Sequence, residues 1–159
     1  MKEDVQPQLH NRLGVAIAMR TYRAHCDLLA SERWQLLAAA GARPQRLLWA
    51  STGMKDPAAP DTFYVEALAA AQTIDTIPEK TLLAFADHGQ VGATLPVDGG
   101  YAETVLDEFK REGVDDEALA ARLQREGVQA FAKSWSALMA RIREKSSQPA
   151  ATVARARTR

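Results

Sequence analysis

Histidine and cysteine carry much of protein chemistry, and the sequence offers few of either. The histidines are His10, His25 and His88, and the single cysteine is Cys26. His25 and Cys26 are adjacent, so on a helix they point to different sides. No CxxC, HxxxH or HExxH spacing occurs, so no metal site is expected. The more informative stretch is "LLWASTGMKDP", residues 47–57. An apolar run stops at Ser51, Thr52 and Gly53, and a cation, Lys55, follows at once. A nucleotide phosphate loop needs G-x-x-x-x-G-K-[ST], which this stretch does not match, and no G-x-G-x-x-G occurs. A nucleophilic serine needs a histidine base, and none stands at a recognisable spacing from Ser51. Two readings remain. One is a hydroxyl-capped turn with a solvated lysine. The other is an anion site in which Ser51 and Thr52 donate to phosphate oxygens and Lys55 supplies charge, at the carboxyl end of a strand, where parallel α/β structures bind ligands.

The carboxylates Asp56, Asp61, Asp75 and Asp87 are scattered. Asp75 falls inside an apparent strand. Either it faces a barrel interior and needs a partner, or it lies on the exposed face of an edge strand. His88 falls at a helix end, where a cation is favoured.

The elements that position these residues are legible from periodicity. Residues 1–12 are polar, contain Pro7, and read as a disordered lead-in. From Leu13 the period is helical, with two apolar stripes: Val15, Met19, Tyr22, Cys26 and Leu29, and Leu13, Ala16, Ile17, Ala24 and Leu28. A helix apolar on two sides expects partners on two sides. Ser31 caps the helix "ERWQLLAAA", and Gly41 ends it in the left-handed region. Arg46 to Ala50 is a short strand, uniformly apolar as in a sheet covered on both faces. A proline-rich loop, 51–61, follows, of the length that often carries function. "DTFYVEAL" reads as a short helical turn and "TIDTI", 73–77, as a second strand. Pro78 opens the helix "EKTLLAFADH". After a loop over 90–98, helices are expected over "YAETVLDEFKRE", closed by Gly113, and over "DDEALAARLQRE", begun by an aspartate cap and closed by Gly127. A last helix follows, with an apolar stripe of Val128, Phe131, Ala132, Trp135, Leu138, Met139 and Ile142. Residues 147–159 read as a disordered basic tail.

The order helix, helix, strand, loop, strand, helices implies an α/β chain with a parallel pair, mostly helical. Two strands alone leave two open edges. With 20 basic and 20 acidic residues the net charge is zero, which gives no electrostatic case for nucleic acid or an anionic membrane surface. A single cysteine fits a reducing cytoplasm. No apolar run approaches the roughly 20 residues of a membrane span, and the N-terminus "MKEDVQPQLHNR" shows no signal-peptide pattern.

The stretch "SERWQLLAAAGARPQRLLWASTGMKDPAAPDTFYVEAL", followed by "TIDTIPEKTLLAFADHG" and closing on "EGVQAFAKSWSALMARIREK", resembles the C-terminal part of a transaldolase. The branch it resembles is the bacterial and plant type, which includes fusions with phosphoglucose isomerase. The resemblance spans about residues 13–145, and residues 13–146 are taken as the barrel segment. It implies a (βα)8 TIM barrel that moves a dihydroxyacetone unit between sugar phosphates through a Schiff base in the pentose phosphate pathway, without cofactors. "LLWAST" is similar to the seventh strand and "TIDTI" to the eighth, so only the last two strands of an incomplete barrel are expected. Ser51 matches the family's phosphate serine, Lys55 is the candidate basic residue beyond it, and Thr52 is adjacent. The family's Schiff-base lysine lies on the fourth strand and its acid–base carboxylates on the first and third, so no catalytic residue is assigned in this chain. A barrel takes about 250 residues. The chain alone is therefore expected to be inactive, with a sugar phosphate bound only in a completed barrel, and with an N-terminal barrel portion or a second copy as its partner. The alternative function is a non-catalytic helical interaction module derived from a transaldolase.

Overall fold

A computed structural model describes residues 5–147. The chain divides into two units, residues 1–114 and 115–159, each taken by itself.

In the first unit a 3-10 turn, Pro7–Leu9, precedes α1 (Arg12–Ala30) and α2 (Glu32–Ala39). The described part of the lead-in is therefore structured, contrary to its polar composition. The reason is one residue: Leu9 is buried against Ala16, Val105, Leu106 and Phe109. Next come β1 (Leu47–Ala50), α3 (Phe63–Ala67), β2 (Thr73–Thr76), α4 (Glu79–His88) and α5 (Ala102–Arg111). The strands pair in parallel, with Leu47 opposite Thr73 and Ala50 opposite Thr76.

The first stripe of α1 finds cover; of the second only Leu13 and Ala16 do, while Ile17, Ala24 and Leu28 are exposed. Val15, Ala18, Met19 and Tyr22 pack with Trp49, Leu68, Leu95 and Ala102. Ala16 joins the cluster formed by α5 and Leu9. The α1–α5 contact is tied at its edge by Arg20 and Glu103, whose guanidinium and carboxylate meet through two bonds of 2.9 and 2.7 Å. Ser31 caps α2 as its type predicts, accepting from the Trp34 N–H at 3.3 Å. Gly41 takes φ +96°, the left-handed value expected there. Pro78 stands just before the first residue of α4 rather than within it.

The second unit is α6 (Asp116–Ser147), a single helix of 32 residues. Asp115 caps it, its Oδ1 accepting from the Ala118 N–H at 2.9 Å. The stop expected at Gly127 is absent. A glycine ends a helix only when the following chain turns away, and here helix-forming residues continue on both sides. The apolar stripe from Val128 to Ile142 is exposed, with Phe131 82% and Trp135 64% accessible. Of the expected tail, residues 148–159 lie outside the described residues. Among the described residues no helix is long and apolar enough to cross a membrane.

Candidate functional site

The strand pair has two unlike faces. Leu47 and Trp49, with their partners Thr73 and Asp75, face the core. Leu48 and Ile74, 48% and 39% accessible, share the other face with Ala50 and Thr76 and have little cover. The uniform apolarity of β1 predicts cover on both sides, whereas the described residues supply it on one.

Alternation along β1 would put Ser51 on the core side. It does not continue, because Ser51 adopts φ +59°, in the left-handed region. Its N–H donates to Thr76 Oγ1 at 3.3 Å. Thr76 Oγ1 in turn donates to the Trp49 carbonyl at 3.1 Å. The Ser51 side chain is exposed, and its hydroxyl makes no hydrogen bond among the described residues.

Beyond this turn Thr52 returns to the covered side. It is 4% accessible, and its hydroxyl donates to Asp75 Oδ1 at 2.9 Å. Asp75 matches neither of the two open readings: it has a partner, but it faces neither a barrel interior nor solvent. The partner is Thr52, and the face is the one packed on the helices. Burial pushes the Asp75 carboxyl above the ordinary carboxylate range, and the bonds from Thr52 and from the Thr76 backbone only partly offset it.

Gly53 comes next because nothing larger fits without adjustment. A Cβ there would stand 3.0 Å from Pro78 Cγ and 3.5 Å from Thr81 Oγ1. The loop therefore lies against the start of α4, where unbonded N–H groups favour negative charge. Lys55 is exposed and forms no ion pair among the described residues.

The rest of the loop is fixed at two further points. Asp56 Oδ1 accepts from the Ala58 N–H at 3.1 Å, and Asp56 Oδ2 accepts from Asn11 Nδ2 at 3.0 Å. Asp61 Oδ1 meets His88 Nε2 at 2.9 Å, while Asp87 Oδ2 meets His88 Nδ1 at 3.2 Å. His88 does stand in the last turn of its helix, but its partners are side chains, one of them on the loop. The Asn11–Asp56 and Asp61–His88 contacts are long-range in sequence and carry no local signal. The Ser51–Thr76 bond was not legible either, since the expected strands, 46–50 and 73–77, paired from their first residues would put Ile77 beside Ala50 instead of Thr76. Among the described residues no group of three or more His, Cys, Asp or Glu side chains is placed to hold a metal ion.

The arrangement is thus an exposed hydroxyl, a glycine loop and a free ammonium after the carboxyl end of a parallel strand, beside a helix N-terminus. Strand carboxyl ends and helix N-termini are where α/β proteins commonly bind anions. Comparison with known proteins narrows the class. The profile of the Transaldolase/Fructose-6-phosphate aldolase family matches residues 1–142, and the chain belongs to that family. It is 43% identical over 146 residues to a transaldolase of Renibacterium salmoninarum, covering 91% of this chain and 39% of that protein. It is 44% identical over 142 residues to a transaldolase of Saccharopolyspora erythraea, covering 89% of this chain and 39% of that protein. A transaldolase of Thiobacillus denitrificans is 47% identical over 134 residues, 84% of this chain and 37% of that protein. The match is to the C-terminal part of a transaldolase, and the chain spans under two fifths of the length of these relatives.

Proposed function

We propose that this chain forms the last two strands and outer helices of a transaldolase (βα)8 barrel, and that it supplies the phosphate subsite. Ser51 donates to a phosphate oxygen of the sugar phosphate, and Lys55 adds charge. Thr52 supports the loop through Asp75, since its one hydroxyl proton is already donated there. The observation that carries this reading is the exposed, unengaged Ser51 hydroxyl at the carboxyl end of β1, in a chain of this family.

Neither strand carries a lysine. The Schiff base, in which a lysine amine condenses with the ketose carbonyl and expels water, then forms on a part of the barrel outside this chain. The dihydroxyacetone transfer of the pentose phosphate pathway, in the cytoplasm, is the activity of the completed enzyme. The chain alone is inactive.

The test is to co-express the chain with the remaining barrel portion and compare Ser51→Ala and Lys55→Ala with the unaltered protein. Each change should weaken phosphate binding by roughly 1.5–3 kcal/mol, about tenfold to a hundredfold, seen mainly as raised KM. An unphosphorylated sugar should be nearly indifferent to both. Equal losses with and without phosphate would assign the residues to the fold instead. For the chain alone, borohydride with fructose 6-phosphate should trap no adduct, and a stoichiometric lysine adduct would overturn the assignment of chemistry elsewhere.

A second reading is favoured by the exposed stripe of α6 and the open face of Leu48 and Ile74. On that reading the chain is a non-catalytic interaction module. Sedimentation separates the two. Self-association without need of a barrel portion, and no phosphate binding in the co-expressed complex, would support the module.

A further inference from the structure

A serine at φ +59° is out of place, because a Cβ crowds the following carbonyl in the left-handed region and glycine is the usual occupant. A glycine stands two positions later, so the loop does not lack one. Something must hold the serine, and what touches its backbone is Thr76. The Thr76 hydroxyl has one proton and gives it to the Trp49 carbonyl at 3.1 Å. Its lone pair takes the Ser51 N–H at 3.3 Å. One side chain thus spans the backbone on both sides of Ala50, its own register partner. These are the last groups of β1, past which the ladder with β2 ends. The turn so held sends Thr52 inward to Asp75 and leaves the Ser51 hydroxyl exposed.

We propose that Thr76 is a positioning residue: its hydroxyl clamps Ser51 in the left-handed conformation and so sets where the phosphate-binding hydroxyl stands. The inference rests on the phosphate subsite proposed above. It adds a residue that does not itself bind phosphate, since its one proton is already given to the Trp49 carbonyl.

The clamp is tested in the full chain by amide hydrogen exchange at Ser51, and its role by titration with fructose 6-phosphate in the co-expressed complex. Thr76→Val keeps the shape and removes both bonds. Thr76→Ser restores the hydroxyl, and Thr76→Ala gives the same comparison if the valine disturbs the strand pair. Loss of one hydrogen bond should speed Ser51 exchange about tenfold in the valine variant, with the serine variant close to the unaltered protein. Affinity for fructose 6-phosphate should fall roughly three- to tenfold in the valine variant and be rescued by serine. In a Ser51→Ala background, Thr76→Val should cost nothing further. Unchanged Ser51 exchange in both the valine and the alanine variants would overturn the clamp. A loss as large without the Ser51 hydroxyl as with it would overturn the positioning role. A complex that binds no fructose 6-phosphate would sink the phosphate subsite and the role built on it, while the exchange result would still decide the clamp.

Discussion

Thr52 Oγ1 donates to Asp75 Oδ1 at 2.9 Å, joining the loop after β1 to the middle of β2. The bond is charge-assisted when Asp75 is ionised, yet burial works against that ionisation and holds the carboxyl above its ordinary range. The sign follows by linkage. A carboxyl whose folded pKa is raised favours the folded state at low pH, fully so below its unfolded pKa. That contribution is lost as pH rises through the folded value. Asp75→Asn keeps an acceptor for Thr52 and removes the titration. It should be neutral or stabilising at pH 7 and should flatten the stability profile above the ordinary carboxylate range. Asp75→Ala leaves a buried hydroxyl without its acceptor and should cost about 1–3 kcal/mol in urea unfolding. Equal stability of the alanine variant and the unaltered chain would remove the bond from any role in the fold.

His88 places a carboxylate at each ring nitrogen, Asp61 at 2.9 Å and Asp87 at 3.2 Å. Both nitrogens can donate only in the imidazolium form. The bond to Asp61 is the larger cause that raises the His88 pKa, Asp87 adds to it, and His88 in turn lowers the Asp61 carboxyl. Lys80 also acts on Asp61 in the lowering direction. The link between loop and α4 is therefore fully present below the unfolded histidine pKa and is lost as pH rises through the folded value. In an NMR titration, His88 should have its midpoint above the ordinary value of about 6.5. Asp61→Asn should lower that midpoint more than Asp87→Asn. Coincident curves for all three proteins would show that the pair does not form in solution.

Gly127 lies inside α6, and a Cβ there would meet nothing within 4 Å. Alanine in a helix interior is favoured over glycine by about 0.8–1.0 kcal/mol. Gly127→Ala should therefore raise the helical signal and the thermal midpoint without touching the strand pair. A loss of helicity would mean that the chain uses the glycine to bend.

Gly127 also shows where the sequence misleads. A glycine closing one amphipathic run looks the same as a glycine inside a longer one, and only what the chain does next distinguishes them. Gly41 and Gly113 were legible as stops, and both take positive φ. The parallel pair was legible because each strand is short, apolar or β-branched, and bounded by turn residues. Its two unlike faces were not, since Leu47, Leu48 and Trp49 give no alternation to read. Leu9 was hidden for a different reason: one buried side chain orders a polar segment whose composition argues for disorder. At the candidate site, Ser51 and Lys55 could be singled out by type and by resemblance. The left-handed turn at Ser51, the Thr76 clamp and the inward bond of Thr52 depend on strand register, which residue types alone do not specify.

Ser51 itself gives the sharpest separation of stability from binding. Its φ of +59° costs a side-chain-bearing residue roughly 1–2 kcal/mol. Ser51→Gly removes that strain while keeping the N–H that Thr76 accepts. The flexibility of glycine in the unfolded chain takes back about 0.4–1 kcal/mol. The variant should therefore unfold at equal or slightly higher urea concentration than the unaltered chain. Ser51→Ala keeps the strain and should not be stabilised. Both variants lack the hydroxyl, so both should lose affinity for fructose 6-phosphate in the completed barrel by a similar factor. A glycine variant that is no less stable yet binds poorly would identify strain retained for a ligand, since a turn kept only for the fold would do as well with glycine. Full affinity in the glycine variant would mean that the loop backbone or Lys55, and not the Ser51 hydroxyl, holds the phosphate.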